Sequence, residues 1–252
     1  MNPIYLDIGN SSFKLASKDQ ENKWCILIRG PHHELGKLED YIKHHKNLAG
    51  LVYSSVRKDV TEKIESGFQH LKVYGLHSGL IPSANLNYET PGTLGMDRFL
   101  ACYGAIQNSG KSAIVIDAGT ACTIDYMTKQ GVFQGGVIMP GIAVLKKSMN
   151  ELLPELPQAT ENQILKFPGK STIECINIGL FDGFKAAIMV FIQRLRLLDQ
   201  EAEIYVTGGD SSIIESMIGR EFTVIEGKFL LFDGMEAFIQ NLSKLKESDH
   251  LF

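Results

Sequence analysis

Two short acidic turns, each placed between two strand-like segments, constrain the fold of this chain more than any other feature. The first is Asp7–Asn10, with the sequence Asp-Ile-Gly-Asn, and the second is Asp117–Thr120, with the sequence Asp-Ala-Gly-Thr. Hydrophobic stretches precede them at Ile4–Leu6 and Ala113–Ile116. The pattern predicts β-hairpins whose glycine permits a tight turn and lets backbone N–H groups approach an anion. Because this device occurs once in each half, the sequence predicts two similar lobes facing one nucleotide.

Composition places the chain among ordinary globular proteins. Its 252 residues include 44% hydrophobic and 21% charged side chains, which suits one large domain or two lobes. The net charge is −4 and no long basic run occurs, so neither nucleic acid nor an anionic membrane surface is expected as a partner. Lys146-Lys147 and His44-His45 are interpreted as solvated helix surface.

Targeting signals and disulfides are not expected from the sequence. Residues 1–3 lead into a strand without a basic region followed by an apolar one, so no signal peptide is predicted. No apolar run approaches the roughly 18 residues that span a bilayer, and the longest candidate, near Ala186–Ile192, is interrupted by Lys185 and Arg194. The scattered cysteines show no metal-ligand spacing and favour reduced thiols in the cytoplasm. They are Cys25, Cys102, Cys122 and Cys175.

The predicted order of elements is similar in the two halves. In the first half, strands are predicted at about 3–8, after Asn10-Ser11, and at Trp24–Ile28, Leu48–Ser54 and Lys72–Leu76. Helices are predicted at Glu34–Lys46 and Val60–Leu71, which gives the order β-β-β-α-β-α-β. In the second half strands are predicted at Ala113–Asp117, Ala121–Met127, Val132–Met139, Glu203–Thr207 and Phe222–Ile225, and helices at Ile142–Asn150, after Ser171 and at Leu230–Leu245. The sequence therefore predicts an α/β protein with lobes at residues 1–110 and 111–252, the first ending in a substrate segment.

The acidic residues of the two turns suit a cation that a phosphate group also binds. A carboxylate repels phosphate, but Asp7 can hold Mg²⁺, because this ion usually takes only one or two protein carboxylates. Lys14 lies on the next strand and adds a nearby positive charge. The second turn repeats this arrangement at Asp117, with the Thr120 hydroxyl as a donor to a phosphate oxygen. For Asp125, further along the same strand, a surface or turn carboxylate is as good an interpretation as a site residue.

Three further segments leave two interpretations open each. Asp97, in Gly95–Arg98, is either a helix N-cap or a general base, and Arg98 is either a surface neighbour or a group that binds a substrate carboxylate through its planar fork. Gly135–Gly141 is either a packing turn or an anion-binding junction between a strand and a helix. Gly208–Asp210 has the same two interpretations, and in the second of them it lies near the adenosine of the nucleotide.

These motifs, in this order, resemble those of the type III pantothenate kinases, members of the acetate and sugar kinase/Hsp70/actin superfamily, over nearly the whole chain. Asp7–Lys14 resembles the family's Asp-x-Gly-Asn-Thr-x-x-Lys, and Leu94–Arg98 resembles its Gly-x-Asp-Arg. Ile116–Asp125 resembles its second phosphate motif, and Gly135–Gly141 its Gly-Gly-x-Ile-x-Pro-Gly turn. Ser11 stands where the family usually has threonine and keeps the hydroxyl. The resemblance implies two ribonuclease H-like lobes, each a mixed five-stranded sheet with helices.

The resemblance also implies an activity, namely ATP-dependent phosphorylation of pantothenate to 4′-phosphopantothenate, the first step of coenzyme A synthesis. Asp97 is then the catalytic base, Asp7 lies on the Mg²⁺ side through water, and Asp117 binds a monovalent cation, K⁺ or NH₄⁺. The implied ATP-binding residues are Asp7, Ile8, Gly9, Asn10, Ser11, Ser12, Phe13, Lys14 and Thr120. The implied pantothenate-binding residues are Tyr88, Gly95, Met96, Asp97, Arg98 and Thr172. The family is homodimeric, with a pantothenate pocket that includes partner residues.

Three alternatives remain at this point. The chain is a kinase for another small hydroxylated metabolite, a non-catalytic accessory or regulatory homologue, or an actin-like filament subunit. A complete set of Asp7, Asp97 and Asp117 gives no sign of lost catalysis. The apolar helix at Phe184–Leu198 is expected to face partly the core and partly a partner subunit.

Overall fold

The structure, a computed structural model, describes residues 3–45, 48–68, 71–160 and 166–248. The predicted ends of two helices, at Lys46 and at residues 69–70, and part of the predicted loop, 161–165, lie outside these ranges. The chain forms two compact units, which are described separately. Unit 1 comprises Met1–Gly110, Gln130–Gln134 and Phe229–Phe252, and unit 2 comprises Lys111–Lys129 and Gly135–Lys228.

Unit 1 contains a mixed five-stranded sheet with helices. Its strands are β1 (Ile4–Ile8), β2 (Ser12–Lys18), β3 (Trp24–Pro31), β4 (Leu51–Ser55) and β5 (Val73–Leu76). Its helices are α1 (Gly36–His44), α2 (Lys58–Gly67), α3 (Met96–Ser109) and α8 (Leu230–Ser248). The strand order is β3-β2-β1-β4-β5, with β1 antiparallel to β2 and parallel to β4.

The two faces of this sheet have different partners. On one face, Leu6 and Ile8 pack with apolar residues of α1 and α2, such as Leu38 and Ile64. The opposite face of β1 carries Tyr5 and Asp7, because side chains alternate along a strand. Tyr5 meets the ring of Trp24 edge-on at 5.2 Å, and Trp24 Nε1 donates to Asp233 of α8 at 2.7 Å. The face that carries Asp7 is therefore the one covered by α8.

Unit 2 repeats the mixed sheet. Its strands are β6 (Ala113–Ala118), β7 (Ala121–Met127), β8 (Phe133–Pro140), β9 (Glu203–Thr207) and β10 (Val224–Glu226), of which β8 begins with two residues that belong to unit 1. Its helices are α4 (Ile142–Leu152), α5 (Thr172–Asn177), α6 (Gly183–Arg196) and α7 (Ser211–Ile218). The order is β10-β9-β6-β7-β8, with β6 antiparallel to β7 and parallel to β9. The predicted fold class of two mixed five-stranded sheets with helices is confirmed.

The last helix corrects the predicted division of the chain at residue 110. The sequence assigns this helix to the second lobe, whereas α8 belongs to unit 1. There it packs on α3 at two glycines: a Cβ added at Gly104 would overlap the carbonyl oxygen of Leu230, and one added at Gly234 would overlap that of Leu100. The backbones of α3 and α8 thus approach each other more closely than side chains would permit. This long-range packing, which the order of elements along the chain does not reveal, is the reason that α8 belongs to unit 1.

The helical segment Thr172–Arg196 corrects the prediction that no apolar run is long enough to cross a membrane. One π-helical turn, Ile178–Asp182, joins α5 to α6 into a continuous helical segment of 25 residues, in which an 18-residue window has a mean hydropathy of 1.7. Among the described residues this is the one segment that passes a test of length and hydropathy for a membrane span. One side of it, which includes Leu180, Phe184 and Ile188, is buried in the core of unit 2. A core helix passes the same test.

Candidate active site

The first acidic turn lies at the end of β1 in unit 1. The Gly9 amide donates to the Ser12 carbonyl at 3.0 Å, which closes the predicted hairpin. Asp7 is the register partner of Lys14 on β2 and of Ser54 on β4. Because register partners share one face of a sheet, Lys14, Asp7 and Ser54 form a row on the face covered by α8. Asp7 and Lys14 are both half-buried.

The remaining predicted residues of this turn fall into two groups. Asn10, Ser11 and Ser12 are exposed and can present hydroxyl and amide groups to a phosphate. The side chains of Ile8 and Phe13 are buried in the core with α1 and α2. Any contact that these two make with ATP therefore has to come from their backbone atoms.

Ser54 is a residue that the sequence reasoning missed. Its side chain is 1% exposed, and its Oγ has no hydrogen-bond partner within the described part of the chain. A buried hydroxyl without a partner is costly, so it marks a position where a ligand or water is expected to complete the bonding. Its place beside Asp7 and Lys14 fits the hydrated Mg²⁺ and phosphate oxygens expected at this row. The only signal in the sequence is a pair of serines ending a buried strand.

The Gly95–Arg98 motif starts α3 in unit 1. Gly95 is the N-cap and Asp97 is the second residue of the helix, so the N-cap interpretation of Asp97 is wrong. The Asp97 Oδ1 accepts a hydrogen bond from the Arg98 amide at 2.9 Å. A Cβ added at Gly95 would lie 2.5 Å from that oxygen, so a glycine leaves the room that this carboxylate occupies. Met96, also in the motif, is buried.

Burial raises the pKa of Asp97 above its ordinary value of 3.8, and the Arg98 amide and positive charge oppose the rise only in part. A carboxylate with a raised pKa is a better proton acceptor than an ordinary surface aspartate. Perturbed carboxylates of this kind often mark catalytic positions. The geometry therefore favours the general-base interpretation of Asp97.

Two of the other side chains predicted to bind substrate, those of Arg98 and Tyr88, contact the same aromatic ring. The Arg98 guanidinium carbon lies 5.6 Å from the ring centroid of Phe133, and the Tyr88 ring lies 6.0 Å from it. All three residues belong to unit 1, because Phe133 lies in its 130–134 segment. Tyr88 and Arg98 are half-buried, whereas Phe133 is fully buried. Phe133 is not among the residues predicted from the sequence.

The second acidic turn lies at the end of β6 in unit 2 and closes a hairpin that is one residue shorter than the first. The Gly119 amide donates to the Ala121 carbonyl at 3.0 Å. Two predicted glycine segments surround this turn. The Gly141 amide donates to the Thr120 carbonyl at 2.9 Å, and the Asp210 amide donates to the Ala118 carbonyl at 3.0 Å. Thr120 is exposed, so its hydroxyl is accessible to a ligand.

Gly208 allows the segment Gly208–Asp210 to approach Asp117. It has a φ of +92°, which L side chains rarely adopt, and a Cβ there would lie 2.5 Å from Asp117 Oδ1. By contrast, Gly135 and Gly136 lie inside β8 and not at a strand-to-helix junction. A Cβ at Gly136 would overlap the carbonyl oxygen of Ile124, which favours the packing interpretation there.

Several carboxylates lie around the second turn. Burial, followed by the charges of Asp117, Asp210 and Asp125, raises the pKa of Cys122 to about 12. Asp125 is 2% exposed, so its interpretation as a surface or turn carboxylate is wrong. In the described ranges no three His, Cys, Asp or Glu side chains are grouped as a metal site.

Thr172 belongs to unit 2. It is the exposed first residue of α5, after the N-cap Ser171. It lines a groove of about 630 Å³ between α4 and the helical segment Thr172–Arg196. The apolar walls of this groove are Met139, Leu145, Met149, Leu156, Ile176, Leu180, Phe184 and Ala187.

Known proteins resemble the chain over most of its length. The sequence model of the type III pantothenate kinase family matches residues 4–194. A type III pantothenate kinase of Phocaeicola vulgatus is 29% identical over 244 residues, which cover 96% of this chain and 99% of that protein. Another, from Persephonella marina, is 29% identical over 238 residues, which cover 92% of this chain and 90% of that protein.

Solved structures share the fold. A Campylobacter jejuni protein assigned to the Baf family of transcriptional activators has a TM-score of 0.66 at 23% identity, covering 96% of this chain and 99% of that one. A ROK family glucokinase from Streptomyces griseus, in complex with glucose and AMPPNP, has a TM-score of 0.55 at 12% identity, covering 93% and 97%. At these identities the likeness shows the fold alone. It is the predicted fold of the sugar kinase and actin-like superfamily.

Proposed function

The chain belongs to the type III pantothenate kinase family, and we propose how its residues carry out the ATP-dependent phosphorylation of pantothenate to 4′-phosphopantothenate. This reaction is the first step of coenzyme A synthesis. The observation that carries the proposal is the half-buried Asp97 at the start of α3, with its raised pKa and its neighbour Arg98. A regulatory role or another acceptor is not favoured, because relatives aligned over nearly the full chain carry the kinase name.

Asp97 accepts the proton of the pantothenate primary hydroxyl as that oxygen attacks the terminal phosphorus of ATP. Phosphoryl transfer depends mostly on positioning and on neutralising charge, and a positioned base adds to both. Arg98 binds the pantothenate carboxylate, since its planar guanidinium matches a carboxylate in two parallel hydrogen bonds. Tyr88, Gly95 and Met96 complete the contacts to pantothenate on unit 1.

The residues from Asp7 to Lys14 bind the ATP phosphates. The exposed Asn10, Ser11 and Ser12 and the turn amides offer donors, and Lys14 adds a positive charge. Asp7 would hold Mg²⁺ through water, and the metal would supply neutralisation of charge on the phosphate oxygens. Thr120 donates its hydroxyl to ATP. The unpartnered Ser54 Oγ beside Asp7 supports a polar ligand at this row.

Activity is expected to depend on a monovalent cation bound at Asp117. Replacing K⁺ and NH₄⁺ by Na⁺ at constant ionic strength is expected to lower kcat by about tenfold or more, equivalent to about 1.4 kcal/mol of transition-state stabilisation. The carboxylates near Cys122 supply the negative field for this cation. Asp117→Asn is expected to be slow in both salts. Equal rates in KCl and NaCl, or a K⁺ dependence retained by Asp117→Asn, would remove Asp117 from this role.

The apolar groove beside Thr172 supports a homodimer in which a second copy covers it. Val190 follows the groove residue Ala187 on α6 and is 43% exposed. Sedimentation equilibrium is expected to give twice the mass of one chain, and Val190→Glu is expected to dissociate the dimer and raise the KM for pantothenate. Tyr74→Glu, which introduces the same charge at a 50% exposed position on β5, is the control. A fully active monomer at assay concentration would contradict this assignment.

The substrate assignment is tested by identifying the product. Incubation with ATP, Mg²⁺ and a panel of small hydroxylated metabolites, followed by mass spectrometry, is expected to show one phosphorylated product, 4′-phosphopantothenate. Equal phosphorylation of an unrelated alcohol would favour a different kinase. The cytoplasm is the proposed location, since ATP is abundant there and all four cysteines are free thiols.

A further inference from the structure

The segment Gln130–Gln134 contains the end of the β7–β8 turn and the first two residues of β8, and hydrogen bonds hold it against the substrate segment of unit 1. Asn85 Nδ2 donates to the Gly131 carbonyl at 2.9 Å, and the Asn87 amide donates to the Phe133 carbonyl at 2.9 Å. Asn87 Nδ2 also donates to Gln134 Oε1 at 2.7 Å. These bonds join Phe133 to the residues immediately before Tyr88. The backbone position of Phe133 relative to Tyr88 is therefore fixed.

The ring of Phe133 is fixed as well. It is fully buried, and its centroid lies 6.3 Å from that of Phe99, which follows Arg98 in α3. The Arg98 guanidinium carbon lies over the ring at 5.6 Å, within the range of a cation–π interaction. Tyr88 meets the ring at 6.0 Å with an interplanar angle of 61°. One rigid ring thus contacts two side chains that enter the proposed pantothenate site from different parts of the chain.

We propose that Phe133 is a positioning residue for pantothenate binding, which sets the orientation of Arg98 and Tyr88 without touching the substrate. The inference rests on the proposed function and adds to it a specificity element from outside the four recognised motif segments. A guanidinium that contacts an aromatic ring through its face still directs its N–H groups outward in its own plane, where a carboxylate can accept two of them. Loss of the ring removes this contact from the Arg98 guanidinium, so its orientation is held less firmly and the carboxylate binds more weakly.

Phe238 offers a matched control in the same aromatic cluster. Its side chain is 4% exposed, and its ring contacts are with Phe99 at 5.6 Å and Tyr103 at 5.9 Å, and not with Tyr88 or Arg98. Phe238→Leu therefore removes a comparable buried ring and a comparable part of the packing energy. It leaves the ring of Phe133, over which Arg98 lies, in place.

Phe133→Leu is expected to raise the KM for pantothenate about tenfold, with a smaller change in kcat and none in the KM for ATP. Phe238→Leu is expected to lower thermal stability by a similar amount without that rise in KM. Phe133→Met, which fills more of the space without a ring, replaces Phe133→Leu if the latter fails to fold. Steady-state ADP release and thermal melts measure both properties. Equal KM values in the Phe133 and Phe238 variants would overturn the inference.

An uncharged analogue separates orientation of Arg98 from general damage to the site. Pantothenol carries a hydroxymethyl group in place of the carboxylate, so it gives Arg98 no anion to bind. Its KM, or its inhibition constant against pantothenate, is expected to rise less in Phe133→Leu than the KM for pantothenate does, because only the effect that acts through Tyr88 remains. An equal rise for both compounds would contradict the positioning of Arg98 by Phe133. Wild-type protein without pantothenate-dependent turnover would instead refute the proposed function and this inference together.

Discussion

Replacing Asp97 by asparagine is expected to lower kcat by about 10²–10⁴-fold while the protein folds and binds ATP normally, because the variant lacks the base that accepts the hydroxyl proton. Asparagine has nearly the shape of aspartate and its side-chain oxygen can still accept the hydrogen bond from the Arg98 amide. The site geometry is therefore retained. Steady-state ADP release measures kcat, and nucleotide titration by calorimetry measures ATP binding.

The same variant is expected to be as stable as the wild type at pH 7, or more stable. Burial raises the pKa of Asp97 in the folded protein, so the charged carboxylate destabilises the fold at any pH above its ordinary value of 3.8. This destabilisation disappears as the pH falls below 3.8, where the carboxyl group is protonated in both the folded and the unfolded protein. Thermal melts at pH 7 and at acidic pH measure the difference. In the wild type, the acid limb of kcat/KM is expected above 3.8 for the same reason.

Asp40→Asn is the matched control for this variant. Asp40 is exposed on α1, so its replacement removes the same charge without removing a buried carboxylate. Its kcat and its melting temperature are expected to stay close to the wild-type values. Near-normal turnover of Asp97→Asn would contradict the base role. A large drop in its melting temperature would contradict the cost assigned to burying the Asp97 charge.

Gly234→Ala is expected to lower the free energy of unfolding by about 3 kcal/mol, at the upper end of the cost of overpacking. The added methyl would overlap the Leu100 carbonyl oxygen on α3, and a backbone atom in a helix cannot rotate away as a side chain can. For a chain of this length the melting temperature is expected to fall by about 6–12 °C. Calorimetric melts of the two proteins measure it.

Gly36→Ala is the control for the helix glycine. Gly36 lies in the first turn of α1, with open space around the position of an added Cβ. The same exchange is expected to leave stability unchanged or to raise it, since alanine favours helices and restricts the unfolded chain. Equal melting temperatures for Gly234→Ala and wild type would show that α3 and α8 are not in backbone contact.

The local parts of the fold could be predicted because their causes are local. The turns after Asp7 and Asp117 follow from a glycine between two hydrophobic strands, and both hairpins form as expected. The place of α8 in unit 1 could not be predicted in this way. It depends on glycines in two helices far apart in sequence, and nothing in the periodicity of either helix identifies its partner.

The same distinction between local and long-range causes applies to the residues of the candidate site. The motif residues could be selected from their order and spacing, and the structure brings Tyr88 and Arg98 together. Phe133 and Ser54 could not be selected, because a buried phenylalanine and a strand-end serine look like ordinary core residues in a sequence. Their significance arises from what they meet: one ring between two substrate-binding side chains, and one buried hydroxyl without a partner beside Asp7.

The most direct test of the central claim is coupled ADP release from the purified wild-type protein with ATP, Mg²⁺ and pantothenate in KCl, alongside Asp97→Asn. The account predicts ADP formation that requires pantothenate in the wild type and falls by about 10²–10⁴-fold in the variant. ADP formation that is absent, or that does not depend on pantothenate, from folded protein that binds ATP would contradict the claim.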